Sequence, residues 1–316
     1  MTHDPYNVRC FMNRYHAIAV LLLGLVLLAG CTPAQEPQET AAAALEDIET
    51  WRAERLAALQ KPDSWLSLAG LYWLDEGENR FGSDPANDLV FPDKAPPHIG
   101  SFWWADSTVR MEVTLGVEVR YADEPVTTIE MDPGGETASV ILEWASLSWF
   151  LIKRDHGFGI RLKDSQSPAL AAFDGIEAFP VDLNWRLRGW FEPYDPPKSI
   201  FVPTVLDTEA RYTVPGAMVF DVAGQTHRLD VTGEPADSAF FVIFADKTNG
   251  RETYGGGRYM WVEAPDAVGR MTIDFNKSYN PPCVFTPYAT CPLPPRQNRL
   301  SIRIEAGEKN YGKADA

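Results

Sequence analysis

Asp246 to Arg299 reads DKTNGRETYGGGRYMWVEAPDAVGRMTIDFNKSYNPPCVFTPYATCPLPPRQNR. It brings together Asn249-Gly250, three consecutive glycines, four tyrosines and the two cysteines of the folded part. Just ahead, Ala239 to Phe244 (AFFVIF) is a short apolar run of the kind that forms a buried strand. Asn249 and Gly250 both tolerate φ > 0, so the pair predicts a type I′ hairpin with Lys247 opposite Glu252 and Ala245 opposite Tyr254. A continuous second strand would then place Glu252, Tyr254 and Arg258 on one face and Tyr259 and Trp261 on the other. Gly255 to Gly257 make that parity uncertain, because glycine inside a strand often marks a bulge. Met271 to Asn276 reads as a third strand, with Asp274 and Asn276 facing opposite to Ile273 and Phe275. Six prolines between Pro281 and Pro295 supply no ladder donor, so Asn280 to Gln297 reads as a stiff, irregular loop laid over the sheet. Leu300 to Glu305 alternates again, as a last strand does. A loop of this length is usually functional or covalently tied.

The whole chain has 316 residues, 45% of them hydrophobic and 12% aromatic, including ten tryptophans. That is enough for two domains or one large β domain. At the other end, Arg9 and Arg14 precede the apolar run Ala17–Leu28, which closes on Leu28-Ala29-Gly30-Cys31. The run is short for a membrane span and has the layout of a secretory signal. Its end resembles the bacterial lipobox, which implies lipidation of Cys31; Thr32 rather than Asp after the cysteine resembles the pattern of outer-membrane lipoproteins. Residues 1–30 hold two arginines and one aspartate, so their removal takes the net charge from −16 to −17. Such a field repels nucleic acid and anionic headgroups, which excludes a nucleic-acid role.

Residues 31–40 read as a tether rich in Pro, Gln and Glu. Residues 41–61 read as a helix with Leu45, Ile48, Leu56 and Leu59 on one face and Trp51 at its edge, ended by Pro62. Acids along its first half and Arg52, Arg55 and Lys61 towards its end suit the helix dipole. Trp65 to Leu74 is nearly continuous apolar sequence, a central strand or a covering segment. From Gly77 to Asp164 short strands alternate with turns every 8–12 residues, a β-sandwich rhythm. The β pattern resumes after a crossing segment at Phe173–Asp182, with turns expected at Pro215-Gly216 and Ala223-Gly224. The expected organisation is therefore mostly β: a sandwich over 62–168 and a second antiparallel β domain over 169–311, with one N-terminal helix.

Two resemblances bear on this. Asn79 to Asp93 (NRFGSDPANDLVFPD) resembles the opening of forkhead-associated domains, phosphothreonine-binding β-sandwiches. Ser83 stands where that family places its phosphate-gripping arginine, and Ala95-Pro96-Pro97-His98 departs from its Ser-x-x-His. The resemblance implies the strand-and-turn layout without the phosphopeptide site. Ser64–Leu74, Arg161–Asp164, Thr253–Tyr259, Asp274–Cys283 and Phe285–Pro295 resemble the bacterial family DUF1684. That resemblance spans roughly Trp51 to Tyr311 and implies a shared fold, often in lipoproteins; it supplies no reaction.

Known catalytic and cofactor signatures are absent. There is no Gly-x-Ser-x-Gly, His-Glu-x-x-His, Walker loop or strand–GxGxxG–helix unit. After export only His98, His156 and His227 remain, without ligand spacing, so no metal or cofactor is expected. Cys283 and Cys291 have three readings: a disulfide, which in the chain-entropy model would stabilise by roughly 2.5 kcal/mol; a catalytic thiolate, for which no base lies nearby in sequence; or buried free thiols. The disulfide is favoured by spacing and by an oxidising compartment.

The candidate site residues are Glu252, Tyr254, Arg258, Tyr259, Asp274, Asn276, Tyr279 and Asn280, with Asp246 beside them and Arg161 and Asp164 from the first half. As a binding site they would offer tyrosines for stacking and an arginine for a carboxylate or phosphate. As a hydrolase, Glu252 or Asp246 would pair with Asp274 as acid and base. As structural groups, Asp and Asn would cap turns, Arg258 would pair internally and the tyrosines would fill the core. The functional expectation is an envelope lipoprotein that binds a small polar or glycan-like ligand or a partner protein. The alternatives are a carboxylate-dependent hydrolase and a purely structural protein.

Overall fold

Thr40 opens the described part of the chain by capping a helix: its side chain accepts a hydrogen bond from Ala43 N at 3.2 Å. The computed structural model describes residues 40–134, 140–154 and 157–312. The expected signal segment, Cys31, most of the tether and His156 lie outside them. The described residues form one unit.

Helix α1 (Ala41–Leu59) buries only Ala44, Ile48 and Leu59; Leu45, expected on the inner face, is 41% exposed. Its charges also work differently from the expectation. No acid lies in the first turn and no base in the last, where a dipole effect would be felt. They make tertiary pairs instead: Asp47 with Lys277 and Arg186, and Arg55 with Glu308.

Eleven strands follow up to Asp164: β1 (Leu68–Trp73), β2 (Gly77–Gly82), β3 (Leu89–Val90), β4 (Gly100–Ala105), β5 (Thr108–Val113), β6 (Val119–Tyr121), β7 (Glu124–Val126), β8 (Thr128–Met131), β9 (Leu142–Trp144), β10 (Leu147–Arg154) and β11 (Gly157–Asp164). They form two sheets, β1-β11-β10-β9-β6-β7 and β3-β2-β4-β5-β8. Inward residues of both share one core, in which Phe81 stacks on Phe102 at 4.3 Å and Trp149 meets Phe81 and Phe91 edge-on at 5.7 Å. Asn79 to His98 serves this layout internally. Asp88 accepts from Arg80 N, and Asn87 donates to the Asp84 and Pro97 carbonyls. On β10, Leu147, Trp149 and Leu151 face the core, yet Phe150 and Ile152 on the other face are also buried. The outer face of this sheet is therefore covered.

After the short helix α2 (Pro168–Ala172) come β12 (Arg186–Pro203), β13 (Glu209–Val222), β14 (Gln225–Val231), β15 (Ala239–Phe244), β16 (Arg258–Glu263) and β17 (Arg270–Asp274). β14-β13-β12-β17 make one sheet and β15-β16 a hairpin. Phe240, Val242 and Phe244 join the core with Met218, Phe220 and Ile273, while Phe241 and Ile243 face a second apolar cluster with Tyr259 and Cys291. Burial on both faces explains why β15 is apolar throughout.

Several local expectations are overturned. Pro215-Gly216 is not a turn but lies within β13, where Gly216 pairs with both Pro193 and Val231. The break falls instead on β12, whose register shifts between Pro193 and Lys198 across three prolines that cannot donate. Asn249-Gly250 does not close a two-residue turn: β15 and β16 pair Phe244 with Arg258, and 245–257 is a long loop. Asn249 is used as a staple, its Oδ1 accepting from Asp246 N at 2.5 Å and its Nδ2 donating to Tyr254 O at 2.6 Å. The turn expected at Ala223-Gly224 is present, closing β13–β14 with paired positive φ values, and Ala122-Asp123 closes β6–β7 in the same way. The strand from Met271 pairs with β12, not with the hairpin, and ends at Asp274, which caps a 3-10 turn over Phe275–Lys277. Leu300–Glu305 joins no sheet; it runs beside 245–247 through Leu300 N to Ala245 O and Lys247 N to Ile302 O.

Candidate functional site

The irregular loop from Asn280 to Gln297 is as expected, and buried asparagines at its margins take the place of a ladder. Asn280 is fully buried, its N–H donating to Glu308 Oε2 at 2.7 Å and its Nδ2 to Lys309 O at 2.6 Å. Asn298 donates to the carbonyls of Asp230 and Ile243 and accepts from Asp230 N at 2.8 Å. Between them, Leu293 N donates to Pro203 O, Val205 N to Cys291 O, and the Tyr259 hydroxyl to Pro292 O. Gly257, at φ +94, lets the backbone pass Pro294; a Cβ there would lie 2.3 Å from its ring. Residues Phe285 to Tyr288 reach the margin of the sandwich, and Ala289 to Pro292 reach Trp65 and Arg161 on its outer face.

Two cavities lie between loop and sandwich. The larger, about 600 Å³, is lined by Leu68, Lys94, Asp164, Ser167, Phe285 and Tyr288 among others. Asp164 is 4% exposed; Lys94 Nζ donates to it at 2.7 Å and Gln166 N at 3.0 Å. Burial alone would raise the Asp164 carboxyl, but these donors hold it below the usual range. Ser167 is buried, caps α2 through Leu170 N and donates to Leu66 O at 2.5 Å. The smaller cavity, about 120 Å³, is lined by Trp65, Arg154, Arg161, Tyr259, Thr290 and Cys291. Arg161 is 2% exposed and its guanidinium lies 5.8 Å from the Trp65 ring. A third cavity, about 310 Å³, separates α1 from the second half and is lined by Trp51, Arg52, Arg55, Asn276 and Glu308.

The remaining candidates are dispersed. Arg258 and Asp246 form a fully enclosed pair at 3.0 Å, and the guanidinium also donates to the carbonyls of Ile304 and Ala306. Burial lowers the Arg258 pKa from its ordinary value. Glu252 is on the loop, where Arg303 donates to it at 2.6 Å and holds its carboxyl low. Asp274 takes Arg186 at 2.5 Å and Asn276 Nδ2 at 2.9 Å. Each carboxylate of the hydrolytic reading is thus held by a different arginine, and none of the three lines the cavities above. Tyr254 lies beside Cys283, and burial raises its hydroxyl pKa. Tyr279 lies under Arg55, 4.7 Å from its guanidinium, and burial pushes its hydroxyl up to about 12. Cys283 and Cys291 are free thiols, so the expected disulfide is not present.

Sequence reasoning reached Asp164, Arg161 and Tyr259 but missed Lys94, Ser167, Tyr288 and Trp65. Lys94 and Asp164 are seventy positions apart, and no local pattern links them.

Residues 171–309 match the family described as protein of unknown function DUF1684. Ser64–Leu74 and Arg161–Asp164, which carried part of the resemblance, fall outside the matched residues. The chain is 36% identical to an uncharacterized protein of Haloarcula marismortui with a solution structure, over 44% of this chain and 78% of that one, with a TM-score of 0.38. No curated protein matches the chain.

Proposed function

We propose that this chain, which belongs to the DUF1684 family, is a binding module tethered to the bacterial envelope that takes a small polar or glycan-like ligand beneath its proline-rich loop. The observation that carries this is the larger cavity. Its volume of about 600 Å³ lies within the range of roughly 300–1,000 Å³ usual for small-molecule sites. It is lined from both halves of the chain and combines two aromatic residues, Phe285 and Tyr288, with the Lys94–Asp164 pair and Gln166. A ring face beside paired donors and acceptors suits a neutral polyhydroxylated ligand better than a polyanion, which the net charge of −16 would repel.

The test is a thermal-shift screen against envelope sugars and short peptides. A ligand at a hundred times its dissociation constant adds about 2.7 kcal/mol, which for a chain of this size raises Tm by roughly 5 °C. Tyr288→Ala, at a half-buried loop position, is expected to abolish the shift while lowering the ligand-free Tm by no more than about 2–4 °C, the effect of about 1 kcal/mol. A shift unchanged in Tyr288→Ala, or none with any ligand class, would refute this site.

The tether is a separate expectation. Cys31 supplies the lipid attachment and sets the module against the membrane, on the periplasmic side. Cys31→Ser should leave the protein unprocessed or move it from the membrane to the soluble fraction on cell fractionation. Normal maturation with an unchanged membrane fraction would remove the anchor from the model of function.

A further inference from the structure

The loop that roofs the cavities carries the two cysteines of the described residues. They stand eight positions apart, yet Cys283 N donates to Cys291 Sγ at 3.1 Å and the two thiols hydrogen-bond each other. Their surroundings differ. Cys291 is 4% exposed, in an apolar cluster with Ile243, Tyr259 and Ala289, and its carbonyl accepts from Val205 N at 3.0 Å. Cys283 is partly exposed on a 3-10 turn (Pro282–Val284) whose hydrogen bonds run to Pro281 and Pro282. One cysteine is thus fixed and shielded, while the other is partly exposed and sits on a locally bonded turn.

We propose that Cys283 and Cys291 form a redox-active dithiol that exchanges with small disulfides, Cys283 attacking and Cys291 resolving. The Cys283 thiolate attacks one sulfur of a disulfide R–S–S–R, forming Cys283–S–S–R and expelling RS⁻, which takes up a proton. Cys291 then loses its proton to solvent and attacks Cys283 Sγ. The Cys283–Cys291 disulfide forms and the second RS⁻ leaves, to be protonated in turn. Two protein thiols are oxidised while the small disulfide is reduced to two thiols, and the reverse sequence returns the pair. The electrostatics favour this division of roles. Hydrogen bonds from the Cys291 thiol and the Tyr254 hydroxyl hold Cys283 below the ordinary thiol range, whereas the bond to Cys283, together with burial, pushes Cys291 up. The proposal does not depend on the ligand reading: Cys283 does not line the larger cavity.

The test uses the full chain in detergent, equilibrated in glutathione buffers of stepped ratio, quenched by alkylation and read peptide by peptide by mass spectrometry. Cys283 and Cys291 should lose their thiols together over one two-electron transition, and in the reduced protein at pH 7 Cys283 should alkylate at least about tenfold faster than Cys291. Cys291→Ser should accumulate glutathione on Cys283, and Cys283→Ser should leave Cys291 without it. Thiols that stay reduced in oxidised glutathione, a disulfide that resists reduction until the chain unfolds, or no adduct on Cys283 in Cys291→Ser would each overturn the proposal. Ligand-dependent thermal shifts measured on the double serine variant keep the outcome separate from that of the cavity.

Discussion

Replacing Arg258 with methionine is expected to destabilise the protein by about 3–5 kcal/mol, because it strands Asp246 as an uncompensated charge in a closed interior. The pair is fully buried on both sides, and Arg258 also satisfies the carbonyls of Ile304 and Ala306. Asp246 in turn accepts from Ile304 N at 2.6 Å and from Thr248. The two side chains therefore stitch the start of β16, the 245–257 loop and the C-terminal segment into one network. Removing both charges should behave differently. Arg258→Met with Asp246→Leu is expected to recover part of the loss, since a buried ion pair replaced by apolar groups is often neutral, though the main-chain groups it served lose their partners. Denaturant unfolding of the two single variants and the double variant gives the coupling directly. A cost below about 1 kcal/mol for Arg258→Met would show that the pair is not closed off from water as described.

The second large effect lies in the sandwich. Trp149 is fully buried among Phe81, Phe91 and their neighbours, and Trp149→Ala should cost about 3–5 kcal/mol through the cavity it leaves. Trp149→Phe is the informative companion. The indole Nε1 is buried without a hydrogen-bond partner among the described residues, so this donor already carries an unmet desolvation cost of about 1–3 kcal/mol. Phenylalanine removes that orphan donor as well as part of the ring. Trp149→Phe is therefore expected to cost less than half of what Trp149→Ala costs, by the same unfolding measurement. Equal costs would mean that the indole nitrogen is satisfied in solution.

These expectations separate what was legible in the chain from what was not. The strands could be read because a pleated, half-buried backbone imposes a period of two on its side chains. The apolar run of β15 announced burial on both faces. The prolines of 281–295 announced a loop because they cannot donate to a ladder. Pro62 bounded α1 on its C-terminal side for an equally local reason.

The errors have one origin. Asn249-Gly250, Pro215-Gly216 and Leu300–Glu305 each carry a local preference worth about 1 kcal/mol or less, and each is overruled by specific hydrogen-bond partners, near in the chain for Asn249 and distant for the other two. Asn249 was claimed by the backbone of Asp246 and Tyr254, Gly216 by Pro193 and Val231. The 300–305 segment runs beside 245–247, and Asp246 in that stretch anchors it by accepting from Ile304 N. The candidate site shows the same division. Polar residue types clustered near Asp246–Asn280 could be named from the chain, but the partner each would take could not. Only the tertiary structure sent Arg258 into the interior, brought Lys94 to Asp164 across seventy positions, and laid Phe285 and Tyr288 over the sandwich. Local sequence determined most of where the backbone is extended, helical or broken, since those choices depend largely on neighbours within a few residues; Pro215-Gly216 and Leu300–Glu305 are exceptions, decided by partners far along the chain. Which charges meet, and where a cavity is left, depended on how two β cores and a ladderless loop come together, and no short-range pattern encodes that.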